Sequence, residues 1–127
     1  MDFKIKTSEN NRQVISTITS QLDLGAENVI ARLAFAYSIG GDSKLNIDKI
    51  EDSKGKEYSS KVLFGENIPY YIAILSNKYN IHKSNKDIPK YVKLHVDDGL
   101  GKIYNMTNKK GMDFLLDSIL EGLNKIK

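Results

Sequence analysis

The run AENVIARLAFAYSI, residues 26–39, has helical spacing and is apolar on nearly every side. Ile30, Leu33, Ala34 and Tyr37 share one face, Val29 and Ala36 lie beside it, and Arg32 is the sole charge after the first turn. A surface helix keeps a polar face, so a helix apolar all round has to be covered, inside a core or between subunits. It is too short to cross a bilayer, and no window of the chain approaches the ~18 apolar residues that a membrane helix needs. The N-terminus MDFKIKTSENNRQ also lacks the basic segment and apolar run of a signal peptide. A cytoplasmic protein is expected, and the cover for this helix has to come from the rest of the chain or from a second copy.

The flanking segments read as that cover. FKIKT (3–7) alternates apolar Phe3 and Ile5 with basic Lys4 and Lys6, the period of a short strand. Ser8 or Asn10 then starts a helix whose stripe is Val14, Ile15, Ile18 and Leu22, ending near Leu24-Gly25. From Gly40 to Gly65 the pattern dissolves into a charged surface connection, with apolar insertions at Leu45, Ile47 and Ile50 and a brief extended piece at 58–64. Helices resume at ENIPYYIAILSNKY, with Pro69 in the first turn, and at IPKYVKLHVDDGLGKIYNM, with Asp87 as cap and Pro89 in the first turn. A last one spans 111–126 on Phe114 or Leu115, Ile119, Leu123 and Ile126. The expected class is all-α, one short N-terminal strand plus about five helices. A length of 127 residues suits a single domain, 1–127.

Enzyme chemistry finds no foothold. Cysteine is absent, which excludes disulfides, thiolate catalysis and cysteine-held metal or iron–sulfur sites. The stretch LHVDDGLG places His95, Asp97 and Asp98 together, but on a helix His95, Asp98, Gly99 and Lys102 share a face while Asp97 points elsewhere. His82 is the only other histidine, and no H-E-x-x-H pattern exists. Phosphate-loop, dinucleotide and nucleophile-elbow motifs are missing too. No cofactor, metal or catalytic residue is assigned. His95 and Gly99 read as a packing pair, with glycine permitting a close helix approach or else marking a kink at 99–101.

Charge points to a polyanion. The net charge is +3, and 17 of 19 basic residues are lysine, in keeping with the codon bias of an AT-rich genome. Yet residues 78–110 hold eight lysines against Asp87, Asp97 and Asp98, a local excess of +5. Lys78, Lys83, Lys86, Lys90 and Lys93 fall on a helix end, a turn and the start of the next helix, whose free N–H groups favour phosphate. Lysines without base-reading partners favour backbone contacts and little sequence specificity. A second reading starts from the other end: a basic strand followed by two helices is the ribbon-helix-helix layout, in which Lys4 and Lys6 of a dimeric repressor or antitoxin would enter the major groove. A third is a scaffold using its apolar second helix, without DNA contact.

Three stretches carry a family resemblance: ENVIARLAFAYSI, GKEYSSKVLFGENIPYYIAIL and LHVDDGL. Over roughly residues 5–104 the chain resembles the DndE family of bacterial DNA sulfur modification, most tellingly in Asn28–Ile39, the turn Leu63-Phe64-Gly65-Glu66, and His95 followed four positions later by Gly99. The resemblance implies a small helical protein with a ribbon-helix-helix-like N-terminal part, assembled as a homotetramer. It implies a non-catalytic subunit of the phosphorothioation machinery that binds double-stranded, preferentially nicked DNA through lysines. Partner proteins of the Dnd system would then perform the sulfur chemistry. This chain departs from the family pattern in Asp97-Asp98, between the histidine and the glycine, and in a single Gly25 at the first helix turn.

Overall fold

A computed structural model describes residues 2–23, 25–42 and 44–110. The helix expected over 111–126 lies outside the described residues. The elements in order are β1 (Lys4–Lys6), α1 (Glu9–Leu22), α2 (Glu27–Ile39), β2 (Glu57–Ser59), α3 (Ser60–Phe64), α4 (Ile68–Tyr79) and α5 (Ile88–Lys110), with single 3-10 turns at Ile47–Lys49 and Gly65–Asn67. The fold is mainly helical, as the periodicity predicts.

Each start and stop has a local cause. Ser8 caps α1, its Oγ accepting from the Asn11 N–H at 3.2 Å. The helix ends with Asp23 in the left-handed region (φ 52°), and Gly25 follows at φ 80°, so two positive-φ residues reverse the chain into α2. Pro69 sits in the first turn of α4, where its missing N–H costs nothing. Asn80 closes α4 in the left-handed region at φ 53°.

α2 is the centre of the molecule. Ile30, Ala31, Ala34, Phe35, Ala36, Ser38 and Ile39 are buried, with Phe35 edge-on to Phe64 at a ring separation of 4.9 Å and to Tyr71 at 5.8 Å. That burial covers much of its apolar surface within one chain, while Val29, Leu33 and Tyr37 stay half-buried. The longest helix, α5, lies across it, and the two touch at Gly99: a Cβ there would stand 2.0 Å from the Ala34 carbonyl oxygen. α5 runs unbroken through Gly99 and Gly101, so close packing, not a kink, accounts for Gly99. Gly101 has open space where a side chain would go.

β1 finds its partner inside the chain. It pairs antiparallel with β2 in the register Lys4↔Ser59, Ile5↔Tyr58, Lys6↔Glu57. Ile5 and Tyr58 face the core and Lys4 and Lys6 face solvent, as alternation requires. In a ribbon-helix-helix dimer this pairing belongs to a second copy's strand, so the order strand–helix–helix is present while one edge of β1 is filled from within.

The segment read as a surface connection is more structured than its composition suggests. Its extended piece is residues 57–59, and 60–64 turn helical because Ser59 Oγ accepts from the Val62 N–H at 3.1 Å. Upstream, it is tied to the β1–α1 junction: Gly55 N–H donates to Thr7 O at 2.8 Å, and Asp52 Oδ1 accepts from the Glu9 N–H at 2.9 Å. These bonds carry Ile47 and Ile50 to the start of α5, where both line a cleft with Pro89 and Lys90.

Candidate nucleic-acid interface

The lysines predicted for DNA part company in three dimensions. Lys4 and Lys6 on the outer face of β1 and Lys90 in the first turn of α5 line one open cleft of about 430 Å³, between the strand and the helix start. Residues separated by some eighty positions in the sequence meet there. Lys90 keeps 63% of its side chain exposed and stands 3.7 Å from Asp87. Asp48 and Asp87 also line the cleft, so its positive character is moderate.

Lys93 forms part of the cleft wall, but its ammonium points into the fold. The residue is 5% exposed, and Nζ donates to Asp97 Oδ2 at 2.7 Å and to the Asp52 carbonyl at 2.8 Å. Asp97 in turn accepts from the Ser8 N–H at 3.1 Å and from Asn11 Nδ2 at 2.8 Å. This cluster clamps α5, the start of α1 and the 51–56 segment together. The Asp52 carboxylate is held below the usual carboxylate range, chiefly by the hydrogen bonds it accepts from the Glu9 and Lys54 backbones.

Lys78 is committed as well. Its Nζ donates to the Gly41 carbonyl at 2.6 Å and to the Ile39 carbonyl at 3.3 Å, closing the C-terminal end of α2. Burial pulls its pKa below the ordinary lysine value, with Asp42 opposing. Lys83 and Lys86 are exposed in the turn between α4 and α5. Lys83 borders a separate, more apolar cleft of about 520 Å³ formed by Ile68, Pro69, Ile72 and Ala73. Gly25 is exposed at the α1–α2 turn, away from any packed neighbour.

His95 is fully buried and sits within a chain of polar groups. Ser38 Oγ donates to Asp98 Oδ2 at 2.6 Å, which uses its one proton, so the contact between Ser38 Oγ and His95 Nδ1 at 2.8 Å requires hydrogen on Nδ1. Nε2 is then an acceptor, and Tyr79 Oη, 2.7 Å away, donates to it while accepting from the Leu45 N–H at 2.9 Å. The imidazole is neutral with a defined tautomer, both its nitrogens are satisfied, and α2, α4, α5 and residue 45 are joined. Burial holds the His95 pKa down to about 4, Lys78 and Lys102 adding to the effect and Asp98 opposing it. Asp98 ends the chain in an ion pair with Lys102 at 2.9 Å. The two aspartates therefore serve different faces of α5, as helical geometry predicts.

Among the described residues no group of three or more histidine, aspartate, glutamate or cysteine side chains is arranged to hold a metal ion. Among them, too, no helix is long and apolar enough to cross a membrane. Sequence reasoning missed Ile47, Asp48 and Ile50 as walls of the lysine cleft. The available signal was the apolar punctuation of a charged connection, since isolated isoleucines in such a segment have to rest on something.

A small, mainly helical protein with a lysine-rimmed cleft and a polar clamp behind it is the class these features define. The pattern of DNA sulphur modification protein DndE matches residues 4–111, and the chain belongs to the DndE family. Among solved structures the fold is similar to the crystal structure of DndE from Escherichia coli B7A, involved in DNA phosphorothioation modification. The likeness has a TM-score of 0.61 at 20% identity and covers 77% of this chain and 93% of that one. No curated protein matches significantly.

Proposed function

We propose that this chain is a non-catalytic, DNA-binding accessory subunit of a bacterial DNA phosphorothioation system. It binds double-stranded DNA, preferentially nicked, and leaves the sulfur chemistry to other Dnd proteins. One observation carries the reading: Lys4, Lys6 and Lys90, drawn from two distant parts of the sequence, line a single solvent-open cleft. Lys83 and Lys86 extend the exposed positive charge along the adjoining turn. Lysines without arginine forks favour phosphate over base edges, hence affinity with little sequence preference.

The same proposal includes a homotetramer, which would multiply a weakly basic protomer into a wide cationic surface. Val62 and Tyr70, half exposed on α3 and α4, supply apolar surface of the kind a subunit contact uses. Gel shift of nicked and intact duplexes tests the DNA assignment. Lys4→Glu, Lys6→Glu and Lys90→Glu together should abolish binding at moderate salt while the protein stays folded and keeps its mass by light scattering. Undiminished binding by a folded triple variant would rule out the cleft as the DNA site.

A further inference from the structure

The cleft has two chemistries, and a phosphate backbone needs only one of them. Its rim is cationic, from Lys4, Lys6 and Lys90, whereas its floor is aliphatic, formed by Ile47, Ile50 and Pro89. Ile47, Ile50 and Pro89 are half-buried, so apolar surface remains open to whatever enters. Duplex phosphates lie on a convex surface and are met by cationic and polar groups, with no use for a hydrophobic recess. Asp48 and Asp87 among the lining residues also weaken the purely electrostatic case. A ligand matched to both parts carries a flat, weakly polar body and an anionic group beside it.

A nucleotide out of the helical stack has that composition: a base with two apolar faces and a phosphate a few bonds away. The recess of about 430 Å³ falls in the roughly 300–1,000 Å³ range of pockets that enclose small ligands. We propose that the cleft between β1 and the start of α5 receives a single unstacked nucleotide. The base lies on Ile47, Ile50 and Pro89, and its phosphate meets Lys4, Lys6 and Lys90. The proposal rests on the DNA-binding reading and states which part of the DNA the site takes. It also gives that reading a physical basis for preferring interrupted duplexes, because a strand break or an unpaired base lowers the cost of leaving the stack.

The test compares an intact duplex with the same duplex carrying one unpaired, bulged nucleotide, each titrated against the full chain at fixed salt. The bulged duplex should bind about tenfold tighter, the factor that burying roughly 55 Å² of apolar base surface supplies. With 2-aminopurine as the bulged base, fluorescence should rise on binding, since no aromatic ring is among the cleft's lining residues to quench it. Ile47→Ser with Ile50→Ser should bring the affinity ratio of the two duplexes close to one and remove the fluorescence rise. Equal affinities for the two duplexes with unchanged fluorescence would overturn the nucleotide site and leave the DNA-binding reading standing. Failure to bind any duplex at low salt would overturn both. A tenfold preference undiminished in the serine variant, folded by its melting profile, would overturn the assignment to this cleft.

Discussion

Lys90 and Lys93 stand three residues apart on the same helix, and the fold gives them opposite employment. Lys90 reaches outward with its side chain largely in solvent, while Lys93 turns inward onto Asp97 and the Asp52 carbonyl. One helical turn separates a charge available to a ligand from a charge consumed by the scaffold. Positive charge counted along a sequence therefore overstates what a partner meets: of the five lysines predicted between 78 and 93, Lys78 and Lys93 hold backbone carbonyls or a buried carboxylate.

That contrast can be broken most severely from the inside. Lys93→Ala leaves the Asp97 carboxylate buried without its cation, a change expected to cost about 3–5 kcal/mol of stability by chemical denaturation. Lys90→Ala should stay within about 0.5 kcal/mol of wild type in the same assay and register in DNA affinity instead. Equal stability losses for the two variants would erase the distinction.

Acid probes the interior next. His95 is neutral in the fold with its pKa near 4, whereas an unfolded chain takes up the proton near the ordinary value of 6.5. Stability is thus complete above about 6.5 and declines as pH falls toward 4, by about 3 kcal/mol in all. His95→Gln, already weaker at neutral pH, should lose much less on the same acidification. An identical pH slope in that variant would place the loss elsewhere.

Two glycines sharpen the comparison of packed and open faces. Gly99→Ala drives a methyl group into the Ala34 backbone and should cost about 1–3 kcal/mol or more. Gly101→Ala meets nothing and should stabilise the helix by up to about 1 kcal/mol. Smallest of all, Asp87→Asn removes an acidic neighbour of Lys90 and should tighten duplex binding by a few-fold, about 0.5 kcal/mol, measured by anisotropy at low salt.

The interior is largely legible in the sequence, and the cleft is not. Helical spacing is local information, so α1, α2, α4 and α5 and the separation of Asp97 from Asp98 follow from periods of 3.6 residues. The strand alternation of Lys4, Ile5 and Lys6 is equally plain. The short extent of β2 and its pairing with β1 are hidden because three residues inside a charged connection carry little periodic signal, and the pairing depends on Thr7 and Gly55 meeting across the chain. The inward turn of Lys93 escapes for the same reason: its partners include Asp52, forty-one residues away. Long-range contacts of this kind leave no spacing to read.

Whether the outward lysines hold DNA is the central question, and the salt dependence of duplex binding reports it directly. Lys4→Gln, Lys6→Gln and Lys90→Gln together should lower the slope of log K against log salt by about one for each phosphate no longer neutralised, with the melting temperature unchanged. A slope equal to that of the wild type would contradict the cleft as the DNA site.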